Sequence, residues 1–140
     1  MKDLRQFYIN GQWVDPIASR DLNVENPSTE ELVATISLGA AADVDVAVAA
    51  AKAAFPLYSQ VSVEERIALM EKLLQIYKDR YDEMAMAISV EMGAPISFAT
   101  AAQADCGRGH INAAIESLKQ FEFERQMGNT RIVKEPIGVC

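Results

Sequence analysis

The chain has 140 residues, enough for one domain with a modest core, and its 50% hydrophobic and 24% charged content is ordinary globular composition. A net charge of −7, a pI near 4.7 and singly scattered lysines and arginines argue against a nucleic-acid partner. No apolar run is long enough for a membrane span, and Met1-Lys2-Asp3-Leu4-Arg5-Gln6 lacks the apolar stretch of a secretory signal. The two cysteines, Cys106 and Cys140, form no disulfide framework and no Cys-rich metal site, so a cytoplasmic protein without a membrane partner is expected.

The first third reads as strands and turns. Phe7-Tyr8-Ile9 runs into Asn10-Gly11, a hairpin signal, and Trp13-Val14 resumes the apolar pattern before Asp15-Pro16. Leu22-Asn23-Val24 alternates and ends at the turn-forming Asn26-Pro27-Ser28-Thr29, and Leu32-Val33-Ala34-Thr35-Ile36 is a further short strand.

The middle is helical. Val44, Ala47, Val48, Ala51 and Phe55 recur at helical spacing behind Asp43 and Asp45, with Pro56 ending that helix or lying just past it. Ser62-Val63-Glu64-Glu65 is a capping box that opens a second helix, whose face is marked by Ile67, Met70, Leu74, Tyr77 and Tyr81. Both stripes are expected in the core. Gly93-Ala94-Pro95 stops the run, with glycine suited to a left-handed cap, and a third helix is expected from about Pro95 to about Lys119. Phe121 and Phe123 then alternate with Glu122 and Glu124, Gly128-Asn129 makes a hairpin turn, and Thr130-Arg131-Ile132-Val133 returns. Pro136 closes that strand, and Ile137-Gly138-Val139-Cys140 reads as the start of another.

Several stretches together carry a family resemblance. Phe7-Tyr8-Ile9-Asn10-Gly11-Gln12-Trp13-Val14, then Asn26-Pro27-Ser28-Thr29-Glu30-Glu31 with Val33-Ala34-Thr35-Ile36, resemble the opening of aldehyde dehydrogenases. Asp43-Val44-Asp45 with Ala47-Val48-Ala49-Ala50-Ala51 and Ala53-Ala54-Phe55 is similar to that family's first helix. Glu65-Arg66, Glu91-Met92-Gly93-Ala94-Pro95 and Lys134-Glu135-Pro136-Ile137-Gly138-Val139 continue the resemblance in order over essentially the whole chain.

The resemblance implies an α/β fold, the N-terminal part of the aldehyde dehydrogenase architecture. Short strands and three main helices would wrap a Rossmann-like dinucleotide-binding domain over residues 1–120. Residues 121–136 would be the oligomerisation hairpin, joining a homodimer or homotetramer, and residues 137–140 the start of a strand returning to the nucleotide domain. The implied activity is oxidation of a small-molecule aldehyde to a carboxylic acid with NAD or NADP. In the family a cysteine thiolate adds to the carbonyl, amide donors hold the oxyanion, hydride passes to nicotinamide, and a glutamate-activated water frees the acid. The catalytic cysteine, that glutamate and the glycine-rich nucleotide loop all lie beyond residue 140 in the family. The 140 residues alone are therefore expected to be inactive, with no catalytic or cofactor-binding residue of their own. The other readings are a non-catalytic paralogue acting as a binding or assembly module, pairing through Phe121, Phe123 and Ile132 by strand addition, and an acylating or semialdehyde enzyme on the same fold.

The candidate residues weigh differently. Cys140 follows an apolar stretch and lacks the base, helix N-terminus or positive neighbour that stabilises a thiolate, so it is not expected to be the nucleophile. Cys106 and His110 share a helix face, but two ligands do not make a metal site and the chain has no other histidine. Gly107-Arg108-Gly109 sits within a helical pattern, whereas a dinucleotide fingerprint follows a strand. By resemblance, the helix of Ala102, Cys106 and Gly109 borders the substrate entrance, where small side chains leave a wide mouth; plain packing is the alternative. Val24, Glu25 and Glu91 match positions that bind a structural monovalent cation in some members, carbonyl and carboxylate oxygens being suitable hard ligands. A solvated glutamate at a helix end is the alternative there.

Overall fold

The computed structural model describes residues 2–140. The strands are β1 (Lys2–Leu4), β2 (Phe7–Ile9), β3 (Gln12–Val14), β4 (Asp21–Glu25), β5 (Leu32–Ser37), β6 (Glu124–Met127) and β7 (Thr130–Val133). The helices are α1 (Ala41–Tyr58), α2 (Val63–Asp79), α3 (Tyr81–Met92), α4 (Ile96–Phe98) and α5 (Ala104–Gln120), with a π-helical turn (Ala99–Gln103) between the last two.

β1, β5 and β4 form a sheet in that order, β1 parallel and β4 antiparallel to β5. β1 was not foreseen, because Lys2-Asp3-Leu4 has no apolar alternation; Arg5 ties it to β4 through Asp3 and Asp21. β2 and β3 make the expected ribbon around Asn10 and Gly11, both at positive φ as a type I′ turn demands. Tyr8 and Trp13 pair across it with ring centroids 5.2 Å apart.

The helices depart from the sequence expectation in ways that matter. Pro56 lies inside α1, where it removes one backbone donor, but the helix runs on until the Ser59 N–H bonds Phe55 O. The apolar stripe of α1 is not core: Val44 is 59% exposed, Ala51 is exposed and Phe55 only half-buried. Alanine and valine surround this helix, so no single face is defined.

The expected second helix is two. Ser62 and Glu65 form the capping box, Ser62 N–H to Glu65 Oε2 at 2.9 Å and Glu65 N–H to Ser62 Oγ at 3.1 Å. The chain then breaks at Arg80 (φ −110°, ψ 20°) and restarts as α3. The break lets α2 pack along α5 while α3 packs on the π turn. Ile67, Met70, Leu74, Tyr77 and Tyr81 are partly or fully buried as expected. Gly93 caps α3 at φ 72°, and a Cβ there would lie 2.7 Å from Pro27 Cγ, so the end of α3 is seated on the turn after β4.

The third helix spans its expected range but holds the π turn, where Ala104 N–H bonds Ala99 O. Phe121 and Phe123 precede the β6–β7 ribbon and are not part of it; the ribbon begins at Glu124 and is joined across by Arg131 and Glu124. Phe121 and Phe123 instead meet edge to face with ring centroids 4.7 Å apart, Lys134 lying over the Phe121 ring and Arg66 over the Phe123 ring. Residues 137–140 form no strand: Gly138 sits at φ 133° and Ile137 is exposed.

Candidate functional site

Of the three residues expected at an entrance, Cys106 and Gly109 lie on α5 and Ala102 in the π turn before it. The inner face of α5 holds Ala104, Gly107, Ile111, Ile115 and Leu118 against α2, a spacing of three and four. Ala104 and Ile115 are buried there, and Gly107 faces Tyr77, whose hydroxyl would stand 2.4 Å from a Cβ at that position. Cys106 and Gly109 therefore point the other way. Both are exposed, and a Cβ on Gly109 would meet nothing within 4 Å. Ala102, in the π turn, is half-buried. Plain packing of Cys106, the alternative role, does not hold within these residues, because its thiol is open to solvent. His110 is exposed nearby, and among the described residues no group of three or more His, Cys, Asp or Glu side chains could hold a metal ion.

The π turn beneath this face is held by two tyrosines that sequence reasoning treated as core alone. Tyr77 Oη donates to Ala104 O at 2.7 Å, and Tyr81 Oη donates to Thr100 O at 2.6 Å. Their rings meet edge to face at 6.2 Å. Arg108 grips Asp105 at 2.7 Å and holds its carboxyl below the usual range. Burial first, and then the Asp105 carboxylate, push the Tyr81 phenol up, so it stays a protonated donor. Gln103 Oε1, also in the π turn, is buried with no hydrogen-bond partner among the described residues. An orphaned acceptor of that kind costs about 1–3 kcal/mol. The sequence held no signal for the turn: that Ala99 and Ala104, five residues apart, are both fully buried emerges only from the structure.

Val24, Glu25 and Glu91 fall into one neighbourhood. The β4–β5 ladder slips between Val24, opposite Ala34, and Glu25, opposite Leu32, so that Val33 of β5 is the residue left out of the pairing. Asn26, which follows, accepts the Ser28 N–H on its side chain and the Glu30 N–H on its carbonyl. Glu91 lies in the last turn of α3, whose end is seated on this same turn by Gly93. Glu25 and Glu91 are exposed and Val24 is half-buried. Backbone carbonyls and a carboxylate are donors that fit a hard cation.

The residues present do not make a dinucleotide cradle. Gly107 and Gly109 lie within α5, with no strand before them. The β5–α1 turn, Leu38-Gly39-Ala40, has a single glycine. Cys140 is exposed, with its Sγ 3.8 Å from Gly138 O and no base beside it.

These elements define a class of fold: an α/β segment of short strands and helices that ends in an exposed two-stranded ribbon. Residues 13–140 match the model of the aldehyde dehydrogenase family, and the chain belongs to that family. A 3-succinoylsemialdehyde-pyridine dehydrogenase from a Pseudomonas species is 45% identical over 100% of this chain and 30% of its own length. Aldehyde dehydrogenase from Bartonella henselae matches with a TM-score of 0.89 at 46% identity, over 93% of this chain and 28% of that one. Aldehyde dehydrogenase C from Pseudomonas syringae, solved with NAD+ and octanal, matches with a TM-score of 0.92 at 43% identity, over 95% of this chain and 27% of that one. The chain thus spans under a third of the length of these relatives.

Proposed function

We propose that these residues form the N-terminal part of an enzyme that oxidises an aldehyde to a carboxylic acid with NAD or NADP, in the cytoplasm. The observation that carries this is the match of nearly the whole chain to the opening of a relative solved with NAD+ and octanal. Within such an enzyme this segment supplies shape. Residues 1–120 wrap the nucleotide domain, and residues 121–136 form the ribbon through which subunits assemble into a homodimer or homotetramer. The exposed β6–β7 ribbon supports that role. In this reading the nucleotide is held by other parts of the enzyme, and these residues carry none of the chemical steps.

Ala102, Cys106 and Gly109 border the aldehyde entrance. The small size of all three residues and the exposure of Cys106 and Gly109 support a wide mouth suited to long or bulky aldehydes. Val24, Glu25 and Glu91 hold a monovalent cation that stiffens the junction of α3 with the β4–β5 turn. The thin core supports the same view of a segment inside a larger protein. Its buried apolar side chains are mainly alanines, while Leu57, Met92, Leu69 and Leu73 are exposed.

Cys106→Trp in the complete enzyme tests the entrance assignment. A bulky indole there raises KM for bulky aldehydes at least several-fold and leaves short ones unaffected. Unchanged KM across aldehyde sizes overturns the assignment.

A further inference from the structure

We infer that Tyr77 and Tyr81 are positioning residues for the aldehyde entrance, and that they act by holding the π turn at Ala99–Gln103. The inference rests on the proposal that Ala102, Cys106 and Gly109 line that entrance.

In an uninterrupted α-helix, residues five apart lie about 140° from each other around the axis. Yet Ala99 and Ala104 are both fully buried, because the turn between them closes with the Ala104 N–H on Ala99 O. The extra residue delays everything downstream by one position. Relative to Ile96–Phe98, Cys106 and Gly109 are therefore rotated by about 100° from where a plain helix would aim them. The turn sets the direction of the face.

A π turn is inherently less favourable than the α-helix it interrupts, so something must hold it. The two tyrosines do this from outside the turn, Tyr77 from the end of α2 and Tyr81 from the start of α3. Tyr81 Oη binds the carbonyl of Thr100, inside the turn, and Tyr77 Oη binds that of Ala104, the residue after it. Gly107 makes the second bond possible, since any Cβ there would strike the Tyr77 hydroxyl and ring. Thr100 adds a local tie, its Oγ1 donating to Ile96 O at 2.8 Å. The break at Arg80 places the two phenols against successive parts of the turn.

The test uses the complete enzyme and a homologous series of straight-chain aldehydes. Two perturbations are made: the double substitution Tyr77→Phe/Tyr81→Phe, and Gly107→Ala, which expels Tyr77 from its bond while raising intrinsic helix propensity. Both are expected to shift KM for long aldehydes at least fivefold relative to KM for the shortest, with kcat for the shortest within about twofold of the parent. Amide hydrogen exchange across residues 100–105 should accelerate about tenfold in both. A purely structural role would lower stability and move KM for all lengths together, or move none. If the length profile is unchanged in both while Cys106→Trp still alters it, the positioning role is overturned and the entrance assignment survives. If Cys106→Trp is also silent, both fall. Should the double variant not fold, Gly107→Ala and single Tyr77→Phe decide the matter by the same profile.

Discussion

Gly93 shows how one residue can join two elements. Its φ of 72° is open to glycine and strained for other residues, and its missing side chain lets α3 end against Pro27 and Ser28. Gly93→Ala combines a left-handed strain with a Cβ 2.7 Å from Pro27 Cγ, and is expected to cost about 1–3 kcal/mol. Urea unfolding of the complete enzyme measures this, and a loss under about 0.5 kcal/mol would contradict the account of the α3 cap. The position was legible from Gly93-Ala94-Pro95 alone, because a helix stop is local chemistry. The same holds for Asn10-Gly11 and for Ser62 with Glu65. Gly107 was not legible: what demands glycine there is Tyr77, 30 residues away in the chain and adjacent only after α2 and α5 pack.

At the scale of elements, the joints carry the information that the sequence pattern did not. Arg80 and the π turn are both missed by a periodicity reading, since Ala99-Thr100-Ala101-Ala102 has similar preferences for either helical register and the choice comes from tertiary partners. Pro56 was over-read as a stop. Asp43, read only as an acidic first-turn residue, is buried and accepts the Ile17 N–H at 2.9 Å and the Ala40 N–H at 2.8 Å. It thereby ties the segment after β3 to the start of α1. Those bonds, the Ile17 one foremost, hold its carboxyl below the ordinary value. A carboxyl depressed in the folded state adds stability that is fully present above its unfolded pKa, about 3.9, and is lost as pH falls through the lower folded value. The stability difference between the parent and Asp43→Ala should accordingly shrink as pH is lowered below about 4. Denaturant midpoints measured across that range check it; a difference that stays constant with pH would refute the role given to the Asp43 charge.

At the scale of the whole molecule, fold class was the most legible property. The order of turns, caps and helices resembled one family, and the match over residues 13–140 bears that out. The candidate site was less legible. Nothing in the spacing of Ala102, Cys106 and Gly109 distinguishes an entrance from an ordinary solvent face; the resemblance supplied that meaning, and the structure adds the outward direction of Cys106 and Gly109. The apolar stripe of α1 was misjudged for a related reason. Amphipathic spacing marks a face that is to be covered, but not which part of a protein covers it. With few large side chains enclosed, much of the energy that orders these elements is expected to come from contacts with the remainder of a larger enzyme.

That expectation has a direct measurement. The stretch of the 3-succinoylsemialdehyde-pyridine dehydrogenase that matches this chain can be replaced by it, and reduction of NAD+ by aldehyde followed for the resulting full-length protein and for the 140-residue chain by itself. The account predicts turnover by the joined protein and none by the chain alone. Dehydrogenase turnover from the 140 residues alone, or a folded joined protein with no activity, would contradict it.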